Sequence, residues 1–217
     1  MVVRDVELDE IWGYVAKKEG HKKPADASKE GIGDQYCFVA IERNTKLILN
    51  FTLGRRDQKT TDTFIEGLRD SLKPGHRFQI TTDGFQPYVS AITTTLGHTV
   101  DFARLIKVYR SPQDGEARYS PAEVASTEVV PVIGNPDPSR ICTSIVERQN
   151  LTMRMQIRRL TRLTNAFSKK FDNHWAAICL HFAYYNFCRI HKTLRVTPAM
   201  EAGIADRVWT IAELLVG

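Results

Sequence analysis

From Val6 to Val15 the chain runs Val-Glu-Leu-Asp-Glu-Ile-Trp-Gly-Tyr-Val, apolar positions interleaved with polar ones, which has the character of a strand. The Lys-, Gly- and Glu-rich stretch from Lys17 to Gly33 reads as an exposed loop. Two further apolar runs, Tyr36 to Ile41 and Leu47 to Leu53, flank Glu42-Arg43-Asn44-Thr45-Lys46. Asn44 tolerates a turn conformation, so the runs are expected to pair as an antiparallel hairpin. Phe64, Leu68 and Leu72 then recur every four residues, which predicts a helix over about Thr61 to Leu72 that Pro74-Gly75 stops. Phe78 to Thr82 predicts a fourth strand ending at Asp83-Gly84, where the glycine lets the chain turn tightly. A short helix from Pro87 to Leu96 and a strand near Arg104 to Tyr109 follow.

Three antiparallel strands followed by alternating helices and strands predict an α/β fold. The order matches the ribonuclease-H-like arrangement, a mixed five-stranded sheet flanked by helices with the first and fourth strands side by side; other α/β sheets fit it too. Five of the nine prolines (Pro112, Pro121, Pro131, Pro136, Pro138) fall between Ser111 and Ser139, so residues of about 111–140 read as an insertion on the fold. A long helix is predicted over about Thr143 to Ser168, a second over about Asn173 to Phe187, and a last short one near Ile211 to Leu215. The expected organisation is a main domain over residues 1–170 and a helical C-terminal extension over residues 171–217 packed on it.

At 217 residues, 42% of them hydrophobic, the chain is long enough to bury a full core. Its net charge of +5 favours a polyanionic partner without identifying one. The cysteines at 37, 142, 179 and 188 contain no Cys-x-x-Cys pair, which indicates neither a zinc knuckle nor a secreted disulfide framework. No signal pattern opens the chain, and no apolar run approaches the roughly 18 residues needed to cross a bilayer. A soluble, cytoplasmic protein with no membrane partner is therefore expected.

Asp9 lies on the first predicted strand and Asp83 ends the fourth, so the two carboxylates face one another if those strands are neighbours. Such a pair repels itself unless something positive lies between, and magnesium bound through hard oxygens is the usual solution. Each aspartate alone reads as a solvated acid at a strand end; the pair gains weight through a third acid. Glu147, near the start of the long helix, is that acid, and its bland alternative is a glutamate that merely suits the helix dipole. At about 100° per residue Glu147, Arg154 and Arg158 lie within roughly 40° of one another, and Val146, Met153, Ile157 and Leu160 group on a different face. From Arg148 to Lys170 there are seven basic residues and no acidic one, which suits phosphate neutralisation; the alternative is a basic surface helix without a ligand. Tyr185, Asn186, Arg189 and His191 read as a structural corner, with His191 and Lys192 still able to touch phosphate. Trp12, Trp175 and Trp209 read as core or interface anchors rather than base-stacking platforms.

Four segments carry a more specific signal: Glu-Leu-Asp-Glu-Ile-Trp-Gly-Tyr-Val at 7–15, Thr-Thr-Asp-Gly-Phe-Gln-Pro-Tyr at 81–88, Ser-Ile-Val-Glu-Arg-Gln-Asn at 144–150, and Tyr-Asn-Phe-Cys-Arg-Ile-His-Lys-Thr-Leu-Arg-Val-Thr-Pro-Ala-Met at 185–200. In this order, over nearly the whole chain, they resemble bacterial insertion-sequence DDE transposases, closest to the family of the first-numbered insertion sequence. The resemblance implies a polynucleotidyl transferase that nicks transposon ends and joins the 3′-hydroxyl to target DNA. It implies that Asp9, Asp83 and Glu147 are the catalytic triad and hold two Mg2+ or Mn2+ ions. It further implies that Arg154, seven residues after the glutamate, contacts terminal DNA and that Arg148 and Asn150 belong to the motif around Glu147. Arg158, Arg162, His191 and Lys192 complete the expected DNA contacts, and a homodimer or larger synaptic complex is the expected assembly.

Two departures accompany the resemblance. The chain opens eight residues before Asp9, so the zinc-binding and helix-turn-helix segments of such transposases are not expected within it. About 63 residues separate Asp83 from Glu147, a longer interval than in retroviral integrases, which the Pro-rich insertion accounts for. Two alternatives stay open at this point: a ribonuclease-H-like nuclease that cuts without joining, and a catalytically idle, DNA-binding transposase remnant.

Overall fold

A computed structural model describes residues 3–26, 29, 31–73, 75–109, 124–162 and 164–216. Six strands, β1 (Asp5–Val15), β2 (Gly33–Glu42), β3 (Ile48–Gly54), β4 (Phe78–Thr82), β5 (Val100–Tyr109) and β6 (Val124–Ile133), form one sheet in the order β3-β2-β1-β4-β5-β6. The pairs β1–β2, β2–β3 and β5–β6 are antiparallel, whereas β1–β4 and β4–β5 are parallel. The first and fourth strands are thus neighbours, as the element order predicts.

The sheet is covered on both faces, and strand alternation decides which side chain goes where. Val6 and Leu8 of β1 and Phe38 and Ala40 of β2 join one core with Phe64, Ile65 and Leu68 of helix α1 (Gln58–Ser71) and Tyr88 and Ile92 of helix α2 (Pro87–Thr95). Ile11 of β1 and Cys37, Val39 and Ile41 of β2 face a second core with Val146 and Met153 of helix α3 (Ser144–Gln156) and Ile178, Phe182 and Tyr185 of helix α4 (Phe171–Phe187). Phe64 and Leu68 are fully buried, each stabilising the fold by roughly 2–3 kcal/mol. The Asp57 carboxylate caps α1 by accepting from Thr60 N at 2.9 Å. Short helices α5 (Pro198–Glu201) and α6 (Ile211–Val216) end the chain. Among the described residues no helix is long and apolar enough to cross a membrane.

Three expectations change. The sheet has six strands rather than five, because the second half of the Pro-rich stretch forms β6 on the outer edge; residues 110–123 of that stretch lie outside the described residues. Pro131 is tolerated there because an edge strand has one side free of ladder bonds, and it sits beside the register shift at Phe102/Ala103. The long helix expected over 143–168 ends at Gln156. A single 3-10 turn, Arg158–Leu160, follows, and the chain then runs along the edge of β1 that β4 leaves free, where Ala16 N donates to Ser168 O at 2.7 Å. Ile157 and Leu160 are nevertheless buried, as the apolar spacing suggests. Finally, Gly84 is not among the residues with positive φ, so the turn after Asp83 does not need glycine. It is held by the Asp83 carboxylate, which accepts from Phe85 N at 2.9 Å.

Candidate active site

β4 pairs with β1 only as far as Leu8 opposite Thr82, so the next residue of each chain, Asp9 and Asp83, meets the other where the parallel pairing stops. Asp9 points to the α3 side of the sheet and Glu10 to the α1/α2 side. Because β4 has ended, both reach around to Asp83. The result is a compact group in which one carboxylate oxygen from each of Asp9, Glu10 and Asp83 lies within 4.8 Å of the others. Glu10 was not foreseen, since alternation places it on the opposite face from Asp9. The one sequence signal is the density of acids, Glu7, Asp9 and Glu10, on a strand otherwise made for burial.

Each acid is held by the fold. Asp9 Oδ1 accepts from Glu10 N and its Oδ2 from Asn150 Nδ2 of α3, both at 2.8 Å. Glu10 accepts from Arg56 Nε at 2.6 Å and from Tyr88 Oη at 3.0 Å, with its side chain 3% exposed. Burial, followed by the neighbouring acids Glu10 and Asp83, pushes the Asp9 carboxyl up to about 7. Burial and then Asp83 push Glu10 to about 7 as well, against the pull of Arg56. Three carboxylates forced together in partial burial are a strained electrostatic arrangement, and hard oxygen donors at this spacing fit a divalent cation.

Glu147 lies on the first turn of α3 and lines the same open cleft of about 490 Å3 as Asp9, Asp83, Arg56, Lys107 and Thr143. It stands outside the tight trio: its carboxylate pairs with Lys107 Nζ of β5 and accepts from Thr143 Oγ1 at 2.7 Å. The backbone amides at the start of α3 are met by Glu7 of β1, whose Oε2 accepts from Ile145 N at 2.8 Å and Val146 N at 3.0 Å. Burial pushes Glu7 up, and those two backbone bonds pull it down. Glu7 therefore fixes the start of α3, and with it Glu147 and Asn150, two residues before Asp9 on the same strand.

The remaining candidates are dispersed. Arg148 is exposed on α3. Arg154 turns away from the cleft, donating to Leu160 O at 2.8 Å and Trp12 O at 3.3 Å, so it staples the segment after α3 to β1. Arg158 and Arg162 are exposed beyond the end of α3, and because the helix stops at Gln156 Arg158 does not share a helix face with Glu147. His191 and Lys192 follow α4 in a corner where Asn186 bonds both backbone groups of Ile48 at 3.0 Å and Thr197 Oγ1 caps α5, the structural arrangement expected for this cluster. None of these six lines the acid cleft.

No protein-family model matches the chain, and no curated protein does. Among solved structures, one similar chain belongs to the cryo-EM structure of the piggyBac transposase synaptic complex with hairpin DNA. It is 13% identical, covers 84% of this chain and 45% of its own, and superposes with a TM-score of 0.39. The chain thus spans less than half the length of that transposase, and a likeness of this depth says nothing about chemistry.

Proposed function

We propose that the chain is the catalytic part of a DDE-type DNA transposase of the bacterial insertion-sequence kind, a polynucleotidyl transferase that nicks a transposon end and joins its 3′-hydroxyl to target DNA. The observation that carries this reading is the convergence of Asp9, Glu10 and Asp83 within 4.8 Å at the end of two neighbouring parallel strands, with one helix bringing Glu147 to the same cleft and Asn150 onto Asp9. Asp9, Asp83 and Glu147 are assigned the two magnesium or manganese ions, with residues 1–170 as the catalytic domain and 171–217 as a helical extension. When bound, such ions supply the Lewis acidity that activates the attacking oxygen and offsets charge on the scissile phosphate.

The chain's own residues prepare that site. Asn150 and the Glu10 amide orient Asp9, Phe85 N orients Asp83, and Arg56 with Tyr88 holds Glu10 against them. Lys107 faces Glu147 across the cleft and offers a cation to a phosphate once the glutamate turns toward the acids. A DNA end and target DNA are the substrates, and two ends acting together call for a homodimer or a larger synaptic complex.

The test supplies labelled transposon-end DNA with Mg2+ or Mn2+ and follows nicking and joining separately. Asp83→Asn is expected to abolish both while the circular dichroism spectrum stays unchanged; nicking and joining at wild-type rates by that variant would sink the assignment. Pre-nicked ends that are never joined, with cleavage intact, point instead to a nuclease.

A further inference from the structure

Beyond Glu10, β1 has no β4 beside it and is met instead by the segment after α3, and side chains of the two line a second cleft. This cleft, of about 470 Å3, lies between Trp12, Tyr14 and Lys18 on one side and Arg159, Arg162, Thr164 and Asn165 on the other. Two rings of its wall, Trp12 and Tyr14, have centroids 5.6 Å apart with planes inclined at 34°, and the row continues past the cleft to Phe167, on which Tyr14 stacks at 4.9 Å and 30°. All three rings are only half-buried. Cations lie over them: Lys18 Nζ is 5.6 Å from the Trp12 centroid and 5.9 Å from that of Tyr14, and Lys169 Nζ is 3.7 Å from that of Phe167. Among the described residues none of Lys18, Arg162 and Lys169 forms an ion pair, and no acid lines the cleft.

Rings that only sealed the sheet edge would be buried against apolar partners, and a solvated basic patch would need no rings. A row of half-exposed aromatic faces bordered by unpaired cations is instead the chemistry that holds an unpaired polynucleotide strand: each base has a π-face to stack, and each phosphate needs a cation. The distance suits the neighbouring acids, since Trp12 is three residues from Asp9 along an extended strand, roughly 10 Å, or between one and two nucleotides. We infer that Trp12, Tyr14 and Phe167 form a stacking platform for unpaired DNA nucleotides adjoining the cleavage site, with Lys18, Arg162 and Lys169 on the phosphates. The inference rests on the reading of the acid cleft as a DNA-cutting centre and adds the part of the DNA held beside it. Trp12 thereby takes the role that its sequence alone argued against.

The test measures fluorescence anisotropy of labelled oligothymidylate and of a blunt hairpin duplex with the full chain in EDTA, where no cleavage occurs. Trp12→Leu is expected to weaken oligothymidylate binding by about tenfold or more and duplex binding by less than about twofold, whereas Trp12→Phe, which keeps a ring, stays within about threefold of wild type. Lys18→Gln with Lys169→Gln should reduce the slope of log affinity against log salt by roughly 1.4 for the single strand. Equal binding by Trp12→Leu and wild type, equal losses in the Leu and Phe variants, or an unchanged salt slope would each overturn the platform. If Trp12→Leu does not fold, the exposed lysine pair decides by itself. Since binding is read without metal, its failure is separate from the loss of cleavage in Asp83→Asn.

Discussion

Replacing Asp9 by Asn should make the metal-free protein more stable, although it should destroy the proposed activity. Burial and the charges of Glu10 and Asp83 hold the Asp9 carboxyl at about 7 instead of its ordinary 3.8. At roughly 1.4 kcal/mol for each pH unit, keeping Asp9 ionised above pH 7 costs the folded state on the order of 4 kcal/mol. Glu10 is lifted by burial and by Asp83, and it repels Asp9, so the two acids share this cost and removal of one charge recovers roughly 2–4 kcal/mol. The amide keeps the local bonds: its oxygen accepts from Glu10 N, and its NH2 meets Asn150 Oδ1, a buried atom that has no partner in the wild type, once the Asn150 amide flips. For a chain of this length the gain corresponds to a rise in Tm of roughly 5–10 °C. The sign follows from a folded pKa above the unfolded one. Asp9 costs the folded state nothing below about pH 4 and its full penalty develops as pH rises to about 7, so the advantage of Asp9→Asn is full at pH 8 and gone near pH 4. Thermal melts in EDTA at pH 8, 6 and 4 read it directly. No rise at pH 8, or a rise of equal size at pH 4, would refute the electrostatic account of this site. Adding Mg2+ or Mn2+ at pH 8 should narrow the gap by stabilising the wild type more than the variant.

Glu7→Ala removes the acceptor for Ile145 N and Val146 N and should destabilise by about 2–4 kcal/mol, whereas Glu7→Gln keeps an oxygen acceptor and should cost about 1 kcal/mol, both measured by urea unfolding. His174 is buried against Ser168, its Nδ1 2.8 Å from Ser168 Oγ, and burial lowers its pKa to about 4. Its folded pKa is below the unfolded one, so its contribution is full above about pH 6.5 and is lost toward pH 4, by on the order of 3 kcal/mol. A His174→Asn variant should flatten this acid limb of the stability profile. Asn186→Ala leaves Ile48 N and O without their side-chain partners and should cost about 2–3 kcal/mol in urea unfolding, with little effect on metal binding at the distant acid cleft.

Local chemistry made much of this protein legible before folding is considered. Interleaved apolar and polar positions placed β1, short strand-like runs placed β2 to β5, the four-residue recurrence of Phe64 and Leu68 placed α1, and the element order matched a sheet with β1 beside β4, so the meeting of Asp9 with Asp83 could be anticipated. The burial of Ile157 and Leu160 followed from their spacing as well, even though the helix expected to carry them ends at Gln156.

What sequence alone could not decide were the features set by an unsatisfied edge. β4 stops at Thr82, which leaves the far half of β1 with free backbone groups; the residues after α3 leave the helix to cover them, with Arg154 bonded to both segments. No proline or glycine between 157 and 168 marks that break, because its cause lies on another strand. The same early end of β4 lets Glu10 reach Asp83 from the opposite face and leaves Trp12 and Tyr14 half-exposed beside the acids. Side-chain period belongs to one segment and can be read along it. Where a neighbouring strand ends is a property of two segments, and only their packing settles it.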